Sequence, residues 1–164
     1  MKSLFIAACV LVSSASLFAE APQPVTDFHK ALSAAAQQQK MGFILMGRPT
    51  CANCNATKAM IRDGKIPVTA ADYVMADLNV DDPKTEGEFM RKYGKEKFGE
   101  TLPFVVVIDS HGKALASSGG MKGADQWTTL LTEAKAKAVK TTSAGPGTTG
   151  GADPNWPFKT PARQ

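Results

Sequence analysis

Histidine is almost missing from this chain, with two residues in 164, and cysteine is scarce, with three. A structural zinc site takes three or four Cys, His or carboxylate ligands. His29 and His111 both read as surface residues rather than partners for the cysteines, so no metal ligand set is expected. Haem attachment needs a histidine directly after a CxxC pair, and Asn55 stands in that place. Aromatics make up only 7% of the chain and do not interleave with Lys and Arg, which are scattered among acids. Nucleic-acid binding therefore has no footprint here. The lysine-rich stretch near Lys135 to Lys140 reads as the solvated face of a helix. No internal repeat is present.

What is present begins with the first residues. Met1 to Ala19 has a basic start at Lys2, an apolar run from Leu4 to Val12 and small residues up to Ala19, the layout of a secretory signal peptide. The apolar run is too short to cross a bilayer as a permanent helix. Cleavage after Ala19 leaves the rather large Leu17 at the minus-three position. Cleavage after Ala21 has better small residues but is followed by Pro22. The expected leader is 1–19, and no cysteine follows it to suggest a lipoprotein. Export to a periplasmic or extracellular space, with no stable membrane insertion after cleavage, is the expectation. Losing Lys2 lowers the formal net charge from +4 to +3.

Cys9 leaves with the leader, so the mature chain keeps only Cys51 and Cys54. An even pair in an exported protein fits a disulfide. A loop this short gains little stability from being closed, so a purely structural role explains the spacing poorly.

The hydrophobic pattern predicts an ordered series of elements. Thr26 to Lys40 reads as a helix capped by Thr26 or Asp27 and ended by Gly42, and Phe43 to Met46 as a buried strand. Gly47 to Thr50 is a turn in which Thr50 can cap a helix from Cys51 to about Arg62. Tyr73 to Asn79 is a strand broken by Asp81-Asp82-Pro83, and Thr85 to Tyr93 a helix. Gly94 to Glu100 is a loop. Phe104 to Ile108 is the strongest strand, apolar on both faces. Asp109-Ser110-His111-Gly112 turns it into a return strand, Lys113 to Ser118, and Ala124 to Val139 is the last helix. From Thr141 the composition shifts to Thr, Gly, Pro and Ser, too polar to offset the entropy of ordering. One domain over 20–140 and a flexible tail over 141–164 are expected. Trp156-Pro157-Phe158 is the tail's one apolar cluster.

This order, with Cys51-Ala52-Asn53-Cys54 after one apolar strand and Thr101-Leu102-Pro103-Phe104 opening another, resembles the thioredoxin-like superfamily over Val25 to Val139. The resemblance implies an α/β thioredoxin fold, a central mixed sheet flanked by helices. It also implies an exported thiol–disulfide oxidoreductase with Cys51 as nucleophile and Cys54 as resolving thiol. A helix N-terminus favours the thiolate of Cys51, and Cys54 lies one turn on, more buried. Arg48 either adds positive potential or is a solvated turn residue. The resemblance makes Pro103 a cis-proline and gives Leu102 backbone hydrogen bonds to an extended substrate. Thr50, Leu102 and Pro103 are thus the expected substrate-contacting residues. Implied partners are protein thiols or disulfides, with a membrane electron donor or acceptor allowed. No cofactor is implied, and a monomer is expected.

The chain departs from the family pattern in three places. Thr50 replaces the common aromatic, Ala52-Asn53 replaces Gly-Pro, and Leu45 stands where many reducing thioredoxins carry a buried acid. The missing acid argues against general disulfide reduction and for a narrower partner set. Two other readings stay open. One is a Cu(I)-binding metallochaperone of the same fold, since two thiolates bind Cu(I). The other is a non-catalytic binding module using the edge near Leu102. Expressed in an exporting host, the mature chain is expected to begin at Glu20. The mass of the recovered protein checks this, and an exported form that keeps Met1 would contradict the leader.

Overall fold

The computed structural model describes residues 20–143; the leader and the tail cluster Trp156-Pro157-Phe158 lie outside them. Eight elements follow in chain order: α1 Phe28–Gln38, β1 Met41–Gly47, α2 Ala52–Arg62, β2 Tyr73–Asn79, α3 Pro83–Tyr93, β3 Phe104–Ile108, β4 Ala114–Gly119 and α4 Ala124–Ser143. The strands form one sheet in the order β2-β1-β3-β4. β2 runs parallel to β1, while β3 is antiparallel to both β1 and β4.

Strand alternation sorts the core onto two faces. Phe43 and Leu45 of β1, Tyr73 and Met75 of β2 and Val105 and Val107 of β3 meet α2 and α4 through Cys54, Ile61, Trp127 and Leu131. Ile44, Met46, Ala76, Leu78, Val106 and Ile108 meet α1 and α3 through Phe28, Leu32, Phe89 and Tyr93. A sheet covered on both sides needs central strands without polar alternation. That is why β1 and β3 read as unbroken apolar runs. Two core contributions come from segments with no regular periodicity. Ile66 and Val68, between α2 and β2, are buried on the α2 side. Phe98, in the loop before β3, packs its ring 5.6 Å from Phe89 and 5.4 Å from Phe104.

Several boundaries differ from expectation for local reasons. α1 is capped by Asp27, whose Oδ1 accepts from the Lys30 N–H at 2.7 Å. It ends at Gln39 in the left-handed region, φ 52°, not at Gly42. Gly42 lies inside β1, where a Cβ would come within 2.5 Å of the Ile108 side chain. The glycine is there for a close approach between strands, not to stop a helix. Asp82 follows the end of β2 as expected but also caps α3, with Pro83 at the first turn, where a missing N–H costs nothing. The β3–β4 turn is held by Asp109 Oδ1, which accepts from the N–H groups of His111 and Lys113, both at 2.9 Å. α4 continues to Ser143, four residues past the expected end. Among the described residues no helix is long and apolar enough to cross a membrane.

Two buried phenols make the fold sensitive to alkali. Burial, with Asp72 nearby, pushes Tyr73 from 10.0 up to about 12. Burial, with Asp109 and Glu96, also raises Tyr93, whose hydroxyl donates to the Gly112 carbonyl at 2.9 Å. A phenol becomes charged on losing its proton. A raised folded pKa therefore leaves stability intact below the unfolded value near 10 and removes it as the pH climbs toward 12. Among the described residues the Tyr73 hydroxyl has no hydrogen-bond partner, so Tyr73→Phe breaks no bond within them and spares a buried polar group. Denaturant midpoints measured against pH are expected to show Tyr73→Phe at least as stable as the parent at neutral pH. The alkaline loss should then begin at higher pH.

Candidate functional site

The antiparallel register places Met46, at the end of β1, opposite Phe104, at the start of β3. The residues that follow Met46 and those that precede Phe104 must therefore meet at one end of the sheet. Cys51 to Cys54 come from the first side and Leu102 and Pro103 from the second. The Asn53 amide Nδ2 donates to the Leu102 carbonyl at 3.5 Å, across 49 positions of sequence. The Leu102–Pro103 peptide is cis; Pro103 is buried and Leu102 half-buried.

Cys51 and Cys54 are joined by a disulfide, with Cα atoms 5.3 Å apart. Cys54 is fully buried, while Cys51 is partly exposed. The cap of α2 is Cys51 itself and not Thr50. Cys51 has an extended backbone, and its Sγ accepts from the Cys54 N–H at 3.1 Å. A sulfur in this position occupies the place an N-cap oxygen normally takes, facing otherwise unpaired helix donors. Thr50 is left exposed one residue outside the helix. The preceding turn is pinned twice: the Cys51 N–H donates to the Arg48 carbonyl at 3.1 Å, and Asn55 Nδ2 donates to the Pro49 carbonyl at 2.9 Å. Arg48 turns away to Asp81, 3.1 Å from its carboxylate. Gly47 lets β1 pass beneath the pair, since a Cβ there would lie 2.7 Å from Cys54 Sγ.

Two features of the surroundings were not read from the sequence. Leu45, at the position lacking an acid, has Asp77 of β2 as its register partner. By strand alternation Asp77 shares the face of Met75, which is covered by α2. Asp77 binds Lys58 at 2.9 Å, each side chain 27% exposed, and Lys58 is one helical turn beyond Cys54. A carboxylate–ammonium pair thus joins α2 to the neighbouring strand, one helical turn along from Cys54. It lines a cleft of about 300 Å³ with Arg48 and Pro49. The visible signal was the alternation Tyr73, Met75, Asp77, which puts a charge on an otherwise apolar face. The second feature is Met121, 45% exposed, whose Sδ lies 3.9 Å from the buried Thr57 hydroxyl. It follows Gly120, whose N–H donates to the Pro103 carbonyl at 3.0 Å.

The two histidines stand elsewhere. His29 Nε2 lies 3.0 Å from Glu88 on the α1–α3 side, and His111 is exposed in the β3–β4 turn. Among the described residues no group of three or more His, Cys, Asp or Glu gathers to hold a metal.

No family model matches this sequence, and no curated protein matches it significantly. Solved structures do match. A chloroplastic thioredoxin z aligns at TM-score 0.52 and 14% identity, over 70% of this chain and 95% of its own. A mutant thioredoxin from Halobacterium salinarum NRC-1 aligns at 0.51 and 14% identity, over 67% and 87%. An uncharacterised thioredoxin-like protein from Clostridium perfringens aligns at 0.54 and 13% identity, over 78% and 94%. At such identities the likeness speaks to architecture, and with the element order and sheet topology above it shows that residues 20–143 adopt the thioredoxin fold with a close cysteine pair at the start of α2.

Proposed function

We propose that this protein is an exported thiol–disulfide oxidoreductase that exchanges disulfides with protein substrates through Cys51 and Cys54. The observation that carries the reading is the sulfur cap: Cys51 Sγ accepts the Cys54 N–H at the first turn of α2, on the partly exposed side of the pair. In the reduced protein the same N–H and the positive end of the helix stabilise a thiolate there. The thiolate is the attacking species.

The exchange follows from that asymmetry. Cys51 Sγ attacks one sulfur of a substrate disulfide. A Cys51–substrate disulfide forms, and the other substrate sulfur leaves as a thiolate. Cys54, once deprotonated, attacks Cys51 Sγ. The intramolecular disulfide forms and the second substrate thiolate leaves. Two electrons pass from the dithiol to the substrate; the reverse sequence oxidises a substrate dithiol instead. The Lys58–Asp77 pair, one turn from Cys54, supplies charged groups near the thiol that must lose its proton. Leu102 and Pro103, linked to the α2 start through Asn53, offer a loop against which an extended substrate can lie, and Thr50 is exposed next to Cys51.

Cys54→Ala removes the resolving thiol and leaves the nucleophile. In an exporting host it is expected to accumulate mixed disulfides through Cys51 that dithiothreitol releases, whereas Cys51→Ala accumulates none. Diagonal electrophoresis reads both. Equal adducts from the two variants, or none from either, would count against the exchange.

A further inference from the structure

The second residue between the cysteines does something that neither cysteine requires. Asn53 is the second residue of α2, a position where asparagine has no helix-forming advantage and where its side chain caps nothing. Its backbone is held, because the Thr57 hydroxyl donates to the Asn53 carbonyl at 3.0 Å. Its side chain reaches across the site, and its amide donates to the carbonyl of Leu102 at 3.5 Å. That carbonyl belongs to the residue before the cis bond, in the loop that leads into β3.

An extended peptide lying along this loop needs main-chain partners outside the paired strands, and the Leu102 carbonyl, in the loop before β3, is a candidate acceptor. A carbonyl has two acceptor directions. One is already taken by an amide that belongs to the protein, so an incoming N–H meets an occupied and more crowded oxygen. At 3.5 Å the occupying bond lies at the long end of the hydrogen-bond range, so it holds the carbonyl without locking it.

We propose that Asn53 is a specificity-determining residue. It acts as a side-chain latch on the Leu102 carbonyl that extended protein substrates must displace or crowd past, and with which small disulfides, having no main chain, do not compete. The proposal rests on the exchange function above. A substrate with no main chain to dock pays nothing for the latch. A peptide disulfide pays the latch's weak bond each time it binds, and only a peptide with good contacts elsewhere, such as against the exposed Met121, offsets that cost. The latch would thereby narrow the range of protein partners.

The experiment compares pre-reduced parent and Asn53→Ala in single turnovers with two substrates. One is a peptide whose disulfide cysteine lies in an extended segment. The other is bis(2-hydroxyethyl) disulfide, which has no peptide groups. Release of a weak hydrogen bond, at the low end of the net range, corresponds to about a 2-fold change. The ratio of peptide to small-disulfide rate constants is expected to rise by that factor in Asn53→Ala. The gain should appear in the apparent dissociation constant of the peptide rather than in the limiting rate. Taking a ratio removes any effect of the substitution on the cysteines themselves, which would move both substrates together. An unchanged ratio overturns the latch. A fall in the ratio also overturns it, because Asn53 would then be helping peptides to bind. If the parent protein turns over neither substrate, the exchange function fails, and the latch fails with it.

Discussion

The antiparallel pairing of β1 with β3 is the contact on which the rest of this molecule depends. It brings the end of one buried strand beside the start of another, with Met46 opposite Phe104. The two segments continuing from those residues bring the cysteine pair and the Leu102–Pro103 step to the same end of the sheet. Their proximity requires the sheet to hold, and the sheet holds because both of its faces are covered, one by α2 and α4 and the other by α1 and α3. Gly42 belongs to the same constraint, since a side chain there would drive β1 away from Ile108 of β3.

Within that frame the cysteine pair is asymmetric by construction. One sulfur stands at the partly exposed mouth of a helix, in the place of a capping oxygen. The other is fully buried, one turn on, over a strand that bears no side chain at Gly47. The first favours an anion through donors and the helix field; the second sits where an anion is costly unless neighbouring charges help. Lys58, one turn along α2 from Cys54, pairs with Asp77 of β2, so charge is contributed by α2 and β2 rather than by β1.

Much of the fold was legible in the sequence. β3 and β2 lie where runs of apolar residues placed them, and α2 begins after the cysteine expected to open it. Such signals are local: a strand's period, a proline, a glycine. Errors arose where one residue type serves two purposes. Gly42 reads as a helix stop and is a close-approach residue; Asp82 and Pro83 follow the end of β2 as expected but also open α3, two residues ahead of Thr85. Ile66, Val68 and Phe98 are core residues without a sequence signal, because they sit in irregular segments with no period to reveal them. At the site, the cysteines and the Leu102–Pro103 step were legible as a motif, but the cap was assigned to Thr50, since sulfur is not an ordinary capping atom.

By itself the sequence determined the order of the elements, the two buried central strands and the placing of a cysteine pair at a helix start, because periodicity and turn chemistry act over a few residues. Only the tertiary structure decided that Asn53 reaches Leu102, that Asp77 stands beside Leu45 and pairs with Lys58, and that Met121 meets Thr57. Each of these contacts joins residues far apart in the chain. Each depends on strand register and on which face a side chain takes, and a shift of one position in pairing would reverse the face and dissolve the contact.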